Sequence, residues 1–444
     1  MSSPLFKLLL PAMAGLTIAG CGGSGGGTTT CTGADCGGGT GPPPTTVTVT
    51  FGGGVPTVAA AKIGTGAFIS QTVSGNKLTL SIPNGTTNYA VAAVCPALGT
   101  AQWEFVWEAS TADGTSLDFY CEYTNASQGT LTGSLDASAL PGVQGFILYS
   151  QNGGSVDTAG VGPDYGQAAS PTATISLPAV GGNDRILVLA ESSQGIVAAK
   201  NFTGQTVSGA LNGGNTVTFT TADETTPETI TYSNVPAGFA APSTYAALEL
   251  AGSGLGDGEG SVDLASQATT SYSALPASAI ESGDEYFFQA ATYPQAGIST
   301  TIAAGATNSG GPVTLTFPAP WTNFATPSPA ALPSATFNYT GFSGSSNVTE
   351  ELGLAWNPNN TATNVIDVYA TSNYQAGSTT LAIPDLSSVP GLLAAPVSTA
   401  NVQWVASIME QSFPETSVGN GVAITAPLDA TWSLVGYYGN FSVP

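Results

Sequence analysis

The sequence predicts an all-β protein made of tandem β-sandwich domains, and three observations lead to this fold class. Short runs rich in Val, Ile, Thr, Tyr and Phe are separated by Gly, Pro, Asn and Asp, as in VTVTF from Val47. Within these runs apolar and polar residues alternate, which is the period of a strand with one buried face. The runs also recur in the same order along the chain.

Four similar segments mark this recurrence. Each is a strand that ends in proline, which suits a strand end because proline has no amide donor for an interior ladder. The segments are KLTLSIP, ATISLP, SYSALP and TTLAIP, ending at Pro83, Pro178, Pro276 and Pro384. A strongly apolar run follows each of them, from Asn88, Asp184, Glu285 and Val402. We therefore predict four related domains, at residues 47–127, 128–226, 227–332 and 333–444.

Domains of this size with about seven short strands resemble immunoglobulin-like or transthyretin-like β-sandwiches. The Cys-Trp-Cys spacing of a true immunoglobulin domain is not found in the sequence. Both topologies are compatible with the sequence.

The N-terminus predicts export. The apolar run from Leu8 to Ala19 is shorter than the ~20 residues that span a bilayer, and it has the length and flanks of a signal sequence. Its end, Ile18-Ala19-Gly20-Cys21, resembles the lipobox of bacterial lipoproteins. The resemblance implies a signal peptide at residues 1–20 and a lipid on Cys21.

The segment after the lipobox predicts a tether and a location. Residues 21–46 are rich in Gly and Thr and end in three prolines, a composition typical of a flexible linker. Gly22 follows the cysteine, whereas in some bacteria an aspartate there retains lipoproteins at the inner membrane. We expect a lipid anchor in the cell envelope, at the outer membrane or cell surface in preference to the inner membrane.

Four further cysteines predict disulfides, because an even number in an exported protein is typical of them. The four are Cys31, Cys36, Cys95 and Cys121. Cys31 and Cys36 would close a small loop, and a bridge from Cys95 to Cys121 would contribute about 3 kcal/mol in the chain-entropy model. A four-cysteine metal site is the alternative, but the usual C-x-x-C pairs are missing, so no metal site is assigned.

The charge balance excludes several functions. Five Lys plus Arg oppose 28 Asp plus Glu, giving a net charge of −23, and nucleic-acid binding depends on cations that neutralise phosphates. The chain has no histidine, which excludes Ser-His-Asp and Cys-His catalysis and removes the usual ligand of catalytic zinc. We expect a protein that is not an enzyme and uses no cofactor.

Two segments contain residue types that could bind a ligand or catalyse a reaction. GDGEGSVD, from Gly256 to Asp263, resembles the first half of a calcium loop, but Ala268 stands where the final glutamate belongs. In WEFVWEAS, Trp103, Phe105 and Trp107 share one face of a strand, which is typical of a sandwich core and also of a sugar-stacking platform. Glu104 and Glu108 on the other face would be about 13 Å apart, too far for a glycosidase pair.

The function that these features favour is a lipid-anchored protein of the bacterial cell envelope. Its tandem domains would act in surface binding, in adhesion or as a structural spacer, with a glycan or protein ligand that the sequence does not identify. The alternative is a carboxylate-based carbohydrate-active hydrolase or a carbohydrate-binding protein.

Overall fold

A computed structural model describes most of the chain between residues 44 and 442. The described ranges are 44–52, 54–95, 101–121, 129–151, 155–157, 170–179, 183–206, 209–251, 261–266, 270–294, 300–328, 330, 332–342, 347–357, 363–393, 396, 401–412, 417–419 and 430–442. The signal peptide and tether predicted at residues 1–46 lie almost wholly outside them, as do Cys21, Cys31 and Cys36.

The regular secondary structure of the described chain is nearly all strand, which confirms the predicted fold class. The first fourteen strands are β1 Thr45–Gly52, β2 Val58–Ile63, β3 Ile69–Ser70, β4 Lys77–Ile82, β5 Asn88–Val94, β6 Ala101–Ser110, β7 Ser116–Tyr120, β8 Gly129–Asp136, β9 Val143–Ser150, β10 Ser155–Asp157, β11 Thr172–Ala179, β12 Asn183–Ser192, β13 Gly195–Thr206 and β14 Val217–Thr218. Two short 3₁₀ turns lie at Leu211–Gly214 and Thr221–Asp223.

The second half of the chain has the same character. Its strands are β15 Thr226–Ser233, β16 Ser243–Glu249, β17 Ser261–Ser266, β18 Ser271–Ala274, β19 Glu285–Thr292, β20 Thr300–Asn308, β21 Val313–Thr316, β22 Ser334–Thr336, β23 Val348–Trp356, β24 Thr363–Thr371, β25 Thr380–Ala382, β26 Asn401–Gln411, β27 Ser417–Gly419 and β28 Thr431–Ser442. A 3₁₀ turn lies at Ala277–Ala279 and a one-turn helix, α1, at Ser372–Gln375.

Strand pairing repeats in units of seven. The first unit, β1–β7, has the sheets β4-β1-β7 and β3-β2-β5-β6, and the second and third units, β8–β14 and β15–β21, repeat this order. In each, the first strand pairs antiparallel with the fourth and parallel with the seventh. This order differs from the ABED and CFG sheets of immunoglobulin constant domains, so the first three units do not have the immunoglobulin constant-domain topology.

The fourth unit, β22–β28, is a variant of the same plan. Its large sheet has the order β24-β23-β26-β28, and β22 pairs with β25. Strand β27 leaves the unit and pairs in parallel with β7 of the first unit. The domain boundaries drawn from the sequence stay a prediction, because strand pairing alone does not show that a unit folds by itself.

Burial explains the two kinds of strand that the sequence contains. Along β4, exposed and buried residues alternate strictly, because one face of its small sheet meets the core and the other meets solvent. Along β5, every residue after Asn88 is buried, since its sheet is covered on both faces. The strongly apolar runs that follow the proline-ended strands are therefore the centres of the large sheets.

The large sheets of three units join into one. Twelve strands are hydrogen-bonded in the order β17-β16-β19-β20-β28-β26-β23-β24-β6-β5-β2-β3. The third and fourth units meet through the antiparallel pair β20–β28, and the fourth and first through the parallel pair β24–β6. The sequence did not predict these junctions, which replace flexible links with backbone hydrogen bonds.

The second unit attaches to the third through side chains. Arg185, 3% exposed, donates two hydrogen bonds to the Asp284 carboxylate, at 2.6 and 2.7 Å, and one to the Ala279 carbonyl at 3.1 Å. Asn201 donates to Glu281 at 2.7 Å. Because both terminal nitrogens of the Arg185 guanidinium donate to the Asp284 carboxylate, this pair sets the relative orientation of the two units as well as their contact.

The predicted Cys95–Cys121 disulfide is present. Cys95 directly follows β5, and Cys121 directly follows β7, so the bond ties the two sheets of the first unit together. Both cysteines are buried in the apolar core of that unit.

The junction between the third and fourth units depends on close packing at Gly305. A methyl group built on Gly305 would lie 1.6 Å from Cζ2 of Trp432, the residue opposite it across the β20–β28 pair. We expect Gly305→Ala to lower the free energy of unfolding by about 1–3 kcal/mol through overpacking. Urea denaturation of the whole chain measures this.

A double-mutant cycle provides the control. In a Trp432→Ala background the same glycine substitution has free space, so its cost should largely disappear. An equal cost in both backgrounds would show that the indole is not the obstacle.

Candidate functional site

The aromatic row on β6 belongs to the core. Phe105 and Trp107 are each 1% exposed, and both pack in the apolar cluster of the first unit. Trp103 is partly buried and stacks on Phe105 with the ring centroids 6.2 Å apart. The sugar-stacking interpretation of this row is therefore wrong, because two of its three rings have no accessible face.

Glu108, on the opposite face of β6, is held in a structural network. Its Oε1 lies 3.0 Å from Nζ of Lys62 and accepts a hydrogen bond from the Tyr374 hydroxyl, also at 3.0 Å. Burial lowers the pKa of Lys62, but the Glu108 charge and the hydrogen bonds outweigh it, so this pKa lies above its ordinary value. The network connects the first unit to α1 of the fourth.

Glu104, on β6, is fully buried beside Leu393 of the fourth unit. One carboxyl oxygen accepts a hydrogen bond from the Leu393 amide, and Oε1 has no partner among the described residues. Burial raises the pKa of Glu104 to about 8, and the Leu393 hydrogen bond offsets only part of this. Glu104 is therefore largely protonated at neutral pH, and with Glu108 in an ion pair neither is placed for hydrolysis.

The half calcium loop lies largely outside the described residues, which include only Ser261 to Asp263 of it, on β17. In the ranges that the structure does describe, no three acidic or cysteine side chains lie close enough together to enclose a metal ion.

Two carboxyl groups that the sequence did not single out lie together on the large sheet. Glu351 is on β23 and Asp367 on β24, and Asp367 lies opposite Gly353 in the register of the two strands. Glu351 and Gly353 point to the opposite face from Leu352 and Leu354, which belong to the largest apolar core. The pair therefore occupies the other face of the sheet.

The surroundings of this pair limit its solvation. Asp367 is 9% exposed, and in the parallel pairing of β24 with β6 it lies beside the buried Phe105. Ser407 and Tyr369, each opposite Glu351 on a neighbouring strand, donate hydrogen bonds to the Glu351 carboxylate. Tyr369 in turn packs 6.2 Å from the Trp107 ring, centroid to centroid.

The two carboxyl groups perturb each other. Burial raises the pKa of Glu351, and the hydrogen bonds from Ser407 and Tyr369 offset part of that rise. Burial also raises the pKa of Asp367 well above its usual range, and the nearby Glu351 charge raises it further. Such a pair avoids double ionisation by keeping at least one proton on the two carboxyl groups.

A signal for this pair does exist in the sequence. Glu351 directly precedes the apolar run LGLAW, and Asp367 interrupts the otherwise apolar run VIDVYA from Val365. A charge in a strand buried on both faces needs a specific partner. Sequence reasoning missed the pair because only the strand register brings the two runs side by side.

A groove of about 560 Å³ opens on the third unit. It is lined by apolar side chains and by polar groups, among them Glu228, Glu281, Ser282, Ser309, Gly310 and Gly311. The Tyr272 hydroxyl holds the glycine turn by donating to the Gly311 carbonyl at 2.8 Å and accepting from its amide at 2.7 Å. The groove has the volume of a small-molecule site and offers both hydrogen-bond donors and acceptors.

No family model and no curated protein matches the sequence of this chain. Among solved structures it is weakly similar to the product complex of a multi-modular glycogen-degrading pneumococcal virulence factor, SpuA, with 6% identity and a TM-score of 0.15. That match covers 81% of this chain and 36% of the other, and at this score it carries no functional inference.

In the part of the chain that the structure describes, none of the helices has the length and apolar character needed to cross a membrane.

The buried carboxyl groups predict a pH dependence of stability. Burial raises the pKa of Glu104 and Glu350 to about 8 and of Glu285 to about 7, while unfolding returns all three to about 4.3. The folded protein keeps protons that the unfolded chain releases, so their contribution is complete below about pH 4 and declines as the pH rises toward 8. Urea denaturation should give a lower free energy of unfolding at about pH 8 than at about pH 5.

Glu350→Gln should flatten this decline, because glutamine stays neutral throughout. Asp385→Asn is the matched control, since Asp385 is exposed and should leave the slope unchanged. Stability that increases between pH 5 and 8 would contradict the assignment of these groups as protonated carboxyls.

Proposed function

We propose that the chain is a lipid-anchored protein of the bacterial cell envelope that holds a body of four β-sandwich units at the surface for binding or adhesion. The lipobox-like Ile18-Ala19-Gly20-Cys21 and the Gly/Thr/Pro segment after it support the anchor and the tether. The low density of charge, 7% of residues, supports binding through shape and neutral hydrogen bonds more than through charge steering.

The observation that carries this proposal is the twelve-stranded sheet. A flexible spacer needs free joints, whereas β20–β28 and β24–β6 join neighbouring units by seven and eight paired residues. Backbone pairing over that length keeps the units in a constant relative position. Loops and grooves on different units then stand at constant separations, which favours a binding or adhesive role over a flexible spacer.

A second candidate, carbohydrate binding, is favoured by the groove on the third unit. Sugars present many neutral hydroxyl groups, and they bind where carboxylates, hydroxyls and backbone amides are close together. The carboxylates of Glu228 and Glu281 and the hydroxyls of Ser282 and Ser309 supply such groups within a single groove. The hydrolase alternative lacks an observation of this kind.

Lipid anchoring is tested at Cys21. Because the thiol of Cys21 would carry the lipid, Cys21→Ser should move the protein from the detergent phase to the aqueous phase in a two-phase extraction of the expressing bacterium. Cys31→Ser, ten residues away in the same glycine-rich segment, is the control and should partition like the parent. Equal partitioning of the Cys21→Ser protein and the parent would remove the anchor.

Carbohydrate binding is tested with a glycan array and the unlipidated Cys21→Ser chain. We expect at least one class of glycan to bind, and Ser282→Trp to reduce that binding at least tenfold by filling the groove. Ser193→Trp, in an exposed turn of the second unit, should bind like the parent. An array without binding, or binding that survives Ser282→Trp, would rule out this groove as a glycan site, while leaving the anchor untouched.

A further inference from the structure

We propose that the groove of the third unit is completed by the second unit, whose Arg185 holds one wall of the groove in the conformation that binds a ligand. This wall consists of residues 277–282 and is called the 277–282 wall below. The inference rests on the carbohydrate-binding function proposed for the groove. Arg185 is a positioning residue, because it acts through the wall and does not itself line the groove.

Two segments outside the strands line the groove, and they are supported differently. The turn at Gly310 and Gly311 is held within the third unit, because the Tyr272 hydroxyl bonds to both the carbonyl and the amide of Gly311. The 277–282 wall includes only the short 3₁₀ turn Ala277–Ala279 and belongs to no strand. A turn of this length makes few hydrogen bonds of its own, so side chains that reach it from elsewhere decide its conformation.

Arg185 reaches the backbone of this wall at two points. One terminal nitrogen of its guanidinium donates to the Ala279 carbonyl at 3.1 Å. The guanidinium also binds both oxygens of Asp284, at 2.6 and 2.7 Å, and Oδ2 of Asp284 accepts a hydrogen bond from the Glu281 amide at 2.7 Å. Arg185 therefore fixes the wall directly at Ala279 and, through Asp284, at Glu281, which lines the groove.

The second unit also orients the Glu281 side chain. Asn201 donates to Oε1 of Glu281 at 2.7 Å, and Nε of Arg185 lies 3.6 Å from the same oxygen. Asn201 is itself held by a hydrogen bond from Nε of Arg185 at 2.7 Å. A carboxylate that lines the groove is thus positioned by two residues of another unit.

Burial makes this connection sensitive to small changes. Arg185 is 3% exposed, and the side chain of Asp284 is fully buried. A buried carboxylate that loses its cation has to find other donors or water, so Asp284 would no longer hold the Glu281 amide in place. Leu187 and Leu189, on the same strand as Arg185, belong to the apolar core shared with the third unit. Loss of the guanidinium fork should therefore loosen the wall while the second unit stays docked.

The same contacts couple binding to docking. In the described chain, both sheets of the second unit contain only its own strands, so side chains set its position relative to the third unit. A ligand that prefers the fixed wall to a loosened one strengthens the docking by the same factor by which docking strengthens its binding.

Hydrogen exchange measured by mass spectrometry tests the wall without a ligand. In the full chain carrying Cys21→Ser, Arg185→Lys keeps the charge but replaces the planar fork by a single ammonium group. We expect amide exchange in residues 277–284 to become about tenfold faster, because the Glu281 amide loses its fixed acceptor and the wall opens locally. Exchange at Gly311 should stay as in the parent, since Tyr272 still holds that turn.

Lys200→Met is the matched control. Lys200 is another cation of the second unit, but it pairs with Asp223 inside that unit at 2.8 Å. Its loss should leave exchange unchanged at both the wall and Gly311. If Arg185→Lys does not fold, Asp284→Asn takes its place, because it leaves a single oxygen for Arg185 and should accelerate the same amides.

The glycan array adds the binding measurement. Arg185→Lys should weaken by about tenfold the binding of any glycan whose binding Ser282→Trp also reduces, although it changes no residue that lines the groove. The proposal is overturned if the wall exchanges as slowly in Arg185→Lys as in the parent, if the wall and Gly311 accelerate equally, or if glycan binding is unchanged. A parent protein that binds no glycan would instead overturn the carbohydrate-binding function, which the exchange measurement does not depend on.

Discussion

The structure depends on how sheet edges are used. An open edge exposes unpaired amide and carbonyl groups, which attract other strands, and small sandwiches usually protect such edges with charges or bulges. This chain has few charges, and it pairs its edges internally. Strand β20 meets β28, and β24 meets β6, so three sandwiches share one sheet. The internal pairing orders the units and also removes edges that would otherwise promote aggregation.

Scarcity of cations shapes the interior. With only five Lys and Arg in the sequence, most buried acids cannot form ion pairs. The described residues show three outcomes. Asp284 forms an ion pair with Arg185, and Glu108 forms one with Lys62. Asp113 accepts hydrogen bonds from Thr371 and Asn373. Burial raises the pKa of Glu104, which keeps this side chain neutral. Glu351 likewise accepts hydrogen bonds from Ser407 and Tyr369, while burial and then the nearby Glu351 charge raise the pKa of Asp367 well above its usual range.

The sequence predicts those properties that depend only on residues close together in the chain, such as the buried face of a strand and the position of its end. The alternation in KLTLSI identifies which side chains of β4 are buried, and the proline at residue 384 marks the end of the strand run that includes β25. Period-two patterns say which face is buried, but they do not say which strand lies alongside. The junction β24–β6 and the electrostatic influence of Glu351 on Asp367 both depend on that neighbour, so neither could be derived from the sequence.

The first and fourth units are connected twice, and this has a consequence for assembly. Strand β24 adds to the large sheet of the first unit, while β27 adds to its small sheet beside β7. Both pairings are parallel and bring together residues that are far apart in the chain, so the loop-closure entropy of forming them is large. The first unit therefore reaches its final pairing only after the fourth unit is available. Asp367 lies beside Phe105 across the β24–β6 pairing, so the burial of its carboxyl group is complete only when this connection has formed.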